Sequence, residues 1–268
     1  MKISIIGCGN MGLTYARSFL QFRKAAKDNL ILVAKNESSF QKLSELNIAK
    51  VSLGVNDEVL KSDVIILAVK PQDLKSIVPS LSKKVFKETL IISILAGIKI
   101  SRLKSSLQHD FIVRAMPNMP AQYGMGITAY SPSQEVNIHH ISTVENLLST
   151  TGRTFLIENE DLMDGVTAVS GSGPAYFYYF VSIMIETAKK IGFDESLASL
   201  LVLQTMHGAY HVINNAEVSF DTLIKKVASK GGTTEAAFNV FNQKGFAQIL
   251  EEAINKAEQR SKELSSTN

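Results

Sequence analysis

A glycine-rich segment near the start of the chain, Gly7-Cys8-Gly9-Asn10-Met11-Gly12, constrains the fold more than any other feature. The apolar run before it, Ile3–Ile6, predicts a β-strand, residues 13–22 predict a helix, and Leu30–Ala34 predicts a second strand. In a G-x-G-x-x-G turn the first glycine allows a tight turn, the second admits a pyrophosphate, and the third lets helix and strand pack. A turn that binds nothing is the alternative, but this order of strand, turn, helix and strand predicts a dinucleotide-binding Rossmann unit.

The end of the second predicted strand indicates which dinucleotide is bound. Sites for NAD usually carry an acidic residue there for the ribose hydroxyls. This chain has Lys35, Asn36 and Ser38 at that point, and Glu37 is the one acidic residue among them. A lysine with small polar neighbours suits a 2′-phosphate, so we expect NADPH to be preferred over NADH.

Strand and helix patterns alternate through the first 130 or so residues, further strands are predicted at 126–130 and 154–158, and the strand patterns then stop. Short apolar runs of the kind found in buried parallel strands recur at residues 63–69, 90–95 and 111–115, with helical patterns between them. From residue 159 to 268 the pattern is helical only, and residues 175–185 and 197–203 are apolar on more than one face. We therefore predict an α/β fold, with a doubly wound Rossmann domain (1–158) followed by an all-α helical domain (159–268) that forms a homodimer or a higher assembly of dimers.

Composition excludes several classes of protein. The formal net charge is only +3, and the basic residues are spread along the chain, so no nucleic-acid surface is indicated. No apolar run reaches the ~18 residues of a membrane span. The single cysteine excludes an internal disulfide, and the N-terminus lacks a secretion pattern, so a cytoplasmic location is expected.

A second glycine-containing loop lies near the end of the chain, at Ser229-Lys230-Gly231-Gly232-Thr233-Thr234. Helical patterns precede and follow it, so two glycines and two hydroxyls stand at a helix N-terminus. Free backbone N–H groups and the helix dipole favour an anion there. The other interpretation is a plain joint between helices, with Thr233 or Thr234 as the N-cap.

Five segments in order carry a family resemblance: residues 7–12, Ala68-Val69-Lys70-Pro71-Gln72, Arg114-Ala115-Met116-Pro117-Asn118, Ser170-Gly171-Ser172-Gly173-Pro174-Ala175-Tyr176 and Gly231-Gly232-Thr233-Thr234-Glu235-Ala236. Together they closely resemble the pyrroline-5-carboxylate reductases, which catalyse the last step of proline synthesis. The last two segments are specific to that family, whereas the first occurs in many dehydrogenases. The resemblance extends from Lys2 to about Glu263.

The resemblance implies a set of cofactor contacts. They fall on Gly7, Cys8, Gly9, Asn10, Met11, Gly12, Asn36, Ser38, Asn56, Ala68, Val69, Lys70, Pro71, Ala96, Gly97, Met116, Pro117 and Asn118. Those at Ala96, Gly97 and residues 116–118 would lie beside the nicotinamide. For Asn56, a helix N-cap is an equally good interpretation, and one residue can serve both purposes.

The resemblance also implies the substrate, 1-pyrroline-5-carboxylate, a cyclic imine that carries a carboxylate. Backbone N–H groups of Gly231, Gly232 and Thr233 would bind the carboxylate, with Ser229 in the same loop, and the Thr234 hydroxyl would bind the ring nitrogen. Hydride transfer to such an imine requires placement of the reactants, not a metal. The histidine pair His207 and His211 has helical spacing but no accompanying ligand pattern, so no metal site is expected.

Two carboxylates are further candidates for the site. Glu217 is a candidate for tuning the catalytic site, or else a surface carboxylate, and Glu160 is a candidate substrate contact. The chain also departs from the family at Lys230, where a proline is usual.

The sequence leaves two rival functions open. The first is a reductase of another imine or of a β-hydroxyacid; a β-hydroxyacid enzyme would need a lysine early in the first long helix of the second domain, and residues 161–182 contain none. The second is a sensor that binds NADPH and a partner but does not catalyse a reaction.

Overall fold

The computed structural model describes residues 1–267; Asn268, the last residue of the predicted helical domain, lies outside the described residues. An eight-stranded sheet has the strand order β3-β2-β1-β4-β5-β6-β7-β8. The strands are β1 (Ile3–Ile6), β2 (Leu30–Ala34), β3 (Lys50–Leu53), β4 (Val64–Leu67), β5 (Leu90–Ser93), β6 (Ile112–Met116), β7 (Gly126–Pro132) and β8 (Gly152–Leu156).

Twelve α-helices are found in the described residues. They are α1 (Asn10–Gln21), α2 (Glu37–Glu45), α3 (Asp57–Leu60), α4 (Leu74–Leu81), α5 (Ile100–Leu107), α6 (Ile138–Leu148), α7 (Met163–Val166), α8 (Gly173–Ile191), α9 (Glu195–Asn215), α10 (Phe220–Val227), α11 (Thr233–Gln243) and α12 (Phe246–Thr267). A π-helical turn, Thr167–Gly171, joins α7 to α8. None of the helices in residues 1–267 is long and apolar enough to cross a membrane.

The sheet is covered on both faces, as the continuous apolar runs predicted. Every residue of β1, β2, β4 and β5 is buried. Alternate residues of β1 enter two separate cores, since Ile3 and Ile5 pack in one cluster with Tyr15 of α1, and Ile6 packs in the other with Val59. The predicted doubly wound α/β fold is therefore confirmed.

Strands β1 to β6 are mutually parallel, and β7 reverses the direction. β7 pairs antiparallel with β6 and parallel with β8, so the last two strands extend the sheet in the opposite sense. The edge strand β3 is missing from the sequence prediction. It is short and only one of its four residues, Ser52, is buried, so it lacks the apolar run that marks the central strands.

The chain divides into two compact units at positions that differ from the predicted boundary at 158. The first unit contains residues 1–172 and the chain from Ala257 onward, and the second contains residues 173–256. A buried polar cluster holds the outlying segments in the first unit. Arg114 of β6 pairs with Asp164 of α7 at 2.8 Å, and the Ser261 hydroxyl of α12 donates to the same carboxylate at 2.7 Å.

The second unit is helical throughout, and α8 packs against α9. Many of its large apolar side chains are exposed in the single chain, among them Phe177 (68%), Tyr179 (71%) and Leu200 (62%). Exposed apolar surface of this kind is typical of a subunit interface.

Candidate active site

The glycine turn after β1 packs directly against the loop after β4. Gly7 has φ +100°, a conformation that other residues rarely adopt. A Cβ added to it would lie 2.7 Å from the Ala68 carbonyl oxygen, so only glycine allows this approach. The Ala68 N–H in turn donates to the Ile6 carbonyl at 2.8 Å. Two of the predicted cofactor segments thus meet between β1 and β4, where the strand order reverses, which is the usual ligand position in doubly wound sheets.

The start of α1 has the chemistry of a phosphate site. Gly9 is the N-cap, no side chain caps the helix, and its first turn contains no acidic residue. The Leu13 N–H donates to the Gly9 carbonyl at 2.9 Å. No earlier N–H of the loop or helix has an acceptor among the described residues. The preceding N–H groups, of Asn10, Met11 and Gly12, are left for a ligand. No atom lies within 4 Å of a Cβ built on Gly9, so the backbone there is open to a pyrophosphate.

Cys8 lies in this turn, but the structure shows no activation of its thiol. Its Sγ donates to the Ile5 and Val33 carbonyls at 3.6 and 3.9 Å. Burial raises the pKa of the Cys8 thiol to about 12, and the hydrogen bond to Val33 offsets only part of this. A helix N-terminus can lower a thiol pKa, but here desolvation is the larger effect.

We therefore expect Cys8 to react slowly with iodoacetamide at pH 7–8. The thiolate is the reacting species, and a pKa near 12 leaves only a minute fraction ionised at neutral pH. Mass spectrometry of the native protein should show slower labelling than in the same protein unfolded in urea. Equal rates in both states would contradict the raised pKa.

The loops after β2 and β3 begin helices that are capped by asparagine. The Asn36 side chain accepts the Ser39 N–H at 3.0 Å, and the Asn56 side chain accepts the Val59 N–H at 3.0 Å. Asn56 is therefore the N-cap of α3, as one of its two predicted roles required. Its amide nitrogen remains available for the other role, contact with a ligand. Lys35 is exposed and forms a loose ion pair with Asp73 at 3.7 Å. Its ammonium group is free to turn toward an added phosphate.

The ends of β5 and β6 complete the carboxyl edge of the parallel strands. Gly97, after β5, is buried with φ +72°. Asn118, after β6, uses both ends of its amide: Oδ1 accepts the Ile127 N–H at 3.0 Å and Nδ2 donates to the Ser170 hydroxyl at 3.4 Å. These bonds fix the segment 116–118 between β7 and the π-helical turn.

The loop between α10 and α11 is a type II turn. The Gly232 N–H donates to the Ser229 carbonyl at 2.9 Å, and Gly231 at the third position has φ +73°, which glycine adopts without strain. A Cβ on Gly232 would lie 2.9 Å from the Ser229 carbonyl oxygen, so the backbone of the turn disfavours a larger residue here. Lys230 occupies the second position of the turn.

The predicted N–H cluster of this loop is partly engaged within the chain. The Gly231 N–H donates to the Glu235 carboxylate at 2.7 Å, a contact that the sequence pattern did not suggest. The N-cap of α11 is Gly232, without a side-chain cap, so neither threonine caps the helix. The Thr233 N–H and the Thr234 hydroxyl donate to no residue of the described chain, and both are available to a substrate.

The two remaining predicted carboxylates lie in different surroundings. Glu217 is exposed, between α9 and α10. Glu160 is engaged in the first unit, where its Oε1 accepts the Ile100 N–H at 2.7 Å and lies 3.3 Å from the Arg114 guanidinium. Its substrate role remains a prediction that the structure does not test. The described residues contain no group of three or more His, Cys, Asp or Glu side chains placed to hold a metal ion.

Comparison with known proteins identifies the family. Residues 160–264 match the family described as pyrroline-5-carboxylate reductase dimerisation, and residues 2–97 match NADP oxidoreductase, coenzyme F420-dependent. The pyrroline-5-carboxylate reductase of Haemophilus influenzae is 35% identical over 98% of this chain and 97% of its own length. That of Pseudomonas aeruginosa is 39% identical over 78% of this chain and 77% of its own. The chain belongs to the pyrroline-5-carboxylate reductase family.

Solved structures of pyrroline carboxylate reductases have the same fold. The enzyme of Plasmodium falciparum, crystallised with NADP bound, superposes with a TM-score of 0.88 at 28% identity over 99% of this chain and 98% of its own. The enzyme of Streptococcus pyogenes gives the same TM-score at 28% identity, with 98% of both chains covered. The predicted family, fold and enzyme class are thereby confirmed: the chain is an oxidoreductase of the pyrroline-5-carboxylate reductase family, and its C-terminal part is a dimerisation domain.

The type II turn shows why proline is usual in the pyrroline-5-carboxylate reductases at the position that Lys230 occupies here. Proline is favoured at the second position of such a turn, because its ring fixes φ near the required value. The Lys230 N–H donates to no residue of the described chain, so a proline there would remove no hydrogen bond.

We expect Lys230→Pro to stabilise the protein by about 0.4–1 kcal/mol, because it reduces the freedom of the unfolded chain. Urea denaturation would measure the change, and Lys230→Ala controls for loss of the charge. Destabilisation by Lys230→Pro relative to Lys230→Ala would contradict the type II assignment.

Proposed function

We propose that this chain reduces 1-pyrroline-5-carboxylate to L-proline with NADPH as the preferred donor, as the last step of proline biosynthesis. The observation that carries the proposal is the relationship over almost the whole chain to curated pyrroline-5-carboxylate reductases. The turn at residues 7–12 supports it, since its helix N-terminus fits a pyrophosphate. When bound, NADPH supplies a hydride from its nicotinamide ring.

The first unit binds the cofactor. The N–H groups of residues 10–12 receive the pyrophosphate, and Lys35, Asn36 and Ser38 receive the 2′-phosphate. Residues 68–71, Ala96 and Gly97, and residues 116–118 end neighbouring parallel strands and line the same edge of the sheet.

The loop at the start of α11 binds the substrate. The Thr233 N–H, which has no acceptor in the chain, binds the carboxylate, and Gly231 joins it when its N–H exchanges Glu235 for the substrate. The Thr234 hydroxyl hydrogen-bonds the ring nitrogen and so orients the C=N carbon. In the reaction this carbon, a CH=N carbon, gains the hydride and becomes CH2, and the nitrogen, with a proton from water, becomes a secondary amine; the chain supplies placement and electrostatic stabilisation. Glu217 is a candidate for tuning the protonation of the nitrogen.

The active form is a homodimer in the cytoplasm, assembled through the C-terminal helices. The dimerisation-family match and the exposed side chains of α8 and α9 support this assembly. Analytical ultracentrifugation that shows a folded, active monomer at micromolar concentration would overturn the homodimer proposal.

Steady-state assays with 1-pyrroline-5-carboxylate test the function. We expect turnover with both donors and a higher kcat/KM for NADPH than for NADH, because the 2′-phosphate meets Lys35 and the start of α2. A kcat/KM for NADH that equals or exceeds that for NADPH would overturn the donor preference alone. Absence of turnover in a protein that binds NADPH would overturn the enzymatic proposal and favour a sensor.

A further inference from the structure

The π-helical turn Thr167–Gly171 packs on the end of β6. π-Helical turns are rare and are frequently found at functional sites. Here the turn brings Gly171 close to Met116, the last residue of β6. A Cβ built on Gly171 would overlap the Met116 Cε and would lie 3.8 Å from both the Cγ and the Sδ of that side chain. Both residues are half-buried in the first unit.

A side chain at position 171 would disturb the packing of Met116 and not the backbone conformation. Gly171 is absent from the residues with positive φ, so its backbone is open to any amino acid. Gly165, one helical element earlier, provides the contrast, because nothing lies within 4 Å of a Cβ built there. The Met116 side chain therefore occupies the space that a Cβ at position 171 would take.

The backbone around Met116 cannot easily move away. Residue 116 pairs with Ala129 across the sheet, and two hydrogen bonds of Asn118 tie the following segment to Ile127 and Ser170. The flexible part of this contact is the methionine thioether. A side chain at 171 would displace that thioether, which belongs to the last residue of β6, beside the edge of the sheet where residues 116–118 lie.

We propose that Gly171 is a positioning residue for the nicotinamide half of NADPH: it holds the Met116 side chain against the π-helical turn and keeps the end of β6 clear. This inference rests on the proposed function, because it places the nicotinamide at that end of the sheet. It assigns no chemical step to Gly171, which acts through Met116.

Titrations of the substrate-free protein test the proposal. For Gly171→Ala we expect the Kd for NADPH to rise roughly threefold to thirtyfold, which lies within the range of coupling between residues in contact. The Kd for adenosine 2′,5′-bisphosphate, which lacks the nicotinamide, should not change. Gly165→Ala is the matched control, since it adds the same methyl group to a neighbouring glycine with open space, and it should bind both ligands as the parent protein does.

The double variant Met116→Ala/Gly171→Ala provides the decisive comparison. It should bind NADPH with the Kd of Met116→Ala alone, because the obstructing thioether is gone. Should Gly171→Ala not fold, the double variant is expected to fold and to match Met116→Ala.

Three results would overturn the inference: an unchanged NADPH Kd in Gly171→Ala, an equal loss of affinity for both ligands, or a double variant that is worse than Met116→Ala. These binding results are independent of turnover. A parent protein that binds NADPH but does not reduce 1-pyrroline-5-carboxylate would overturn the proposed reaction and leave the result for Gly171 standing.

Discussion

Replacement of Asp164 by alanine is expected to destabilise the protein by about 3–5 kcal/mol, because it leaves a charged guanidinium buried without its main partner. Arg114 and Asp164 each expose only 2% of their side chains, and their nitrogen and oxygen atoms lie 2.8 Å apart. Among the described residues, Glu160 is then the one carboxylate still paired with the guanidinium, at 3.3 Å. Ser261 also loses its hydrogen bond to the Asp164 carboxylate, so the end of α12 should be held less firmly in the first unit.

Two further variants separate the charge from the packing. Asp164→Asn keeps an acceptor for Ser261 and removes only the charge, so its loss should be smaller. Arg114→Met/Asp164→Leu replaces the pair by apolar groups and should recover most of the stability, as found for other buried ion pairs. Urea denaturation at fixed protein concentration measures all three. A loss below about 1 kcal/mol in Asp164→Ala would show that the ion pair is not critical.

Removal of the Thr234 hydroxyl is expected to have the largest effect on catalysis. Thr234→Ala should lower kcat/KM for 1-pyrroline-5-carboxylate roughly tenfold to a hundredfold, which corresponds to ~1.5–3 kcal/mol for a hydrogen bond to a charged group. The affinity for NADPH should stay nearly unchanged, since this hydroxyl is proposed to contact only the substrate nitrogen. Steady-state kinetics and a separate NADPH titration measure the two quantities.

The structure makes this experiment easier to interpret. An N-cap threonine would lose about 1 kcal/mol of stability on substitution, but the N-cap of α11 is Gly232. We therefore expect the melting temperature of Thr234→Ala to be close to that of the parent. Thr234→Ser retains a hydroxyl and should recover most of the activity. A normal kcat/KM in folded Thr234→Ala would refute the catalytic role of this hydroxyl.

The local features of the candidate site could be predicted from the sequence. Glycine spacing, the preceding apolar run and the following helical pattern are all local, and they placed the turn at residues 7–12 correctly at the end of β1. The apolar runs of β4 and β5 were equally clear, because strands buried on both faces need apolar residues throughout. The family motifs then predicted the enzyme, which the comparisons confirm.

The contacts made across long stretches of the chain could not be predicted in this way. The hydrogen bond of Ser261 to Asp164 spans 97 positions, and the pair Arg114 and Asp164 spans 50. Neither contact produces a periodic pattern in the sequence, because each involves only a single polar residue in each helix or strand. For the same reason the sequence did not show that the chain from Ala257 onward belongs to the first unit.

The sequence alone thus determined the Rossmann order, the helical second part and the family. Hydrophobic periodicity, turn glycines and motif order are properties of neighbouring residues, and they survive without any tertiary context. The tertiary structure alone decided the reversal of β7, the edge strand β3, and the packing of Gly171 against Met116. These depend on which distant segments meet, and that is set by the free energy of the whole packed chain rather than by any local pattern.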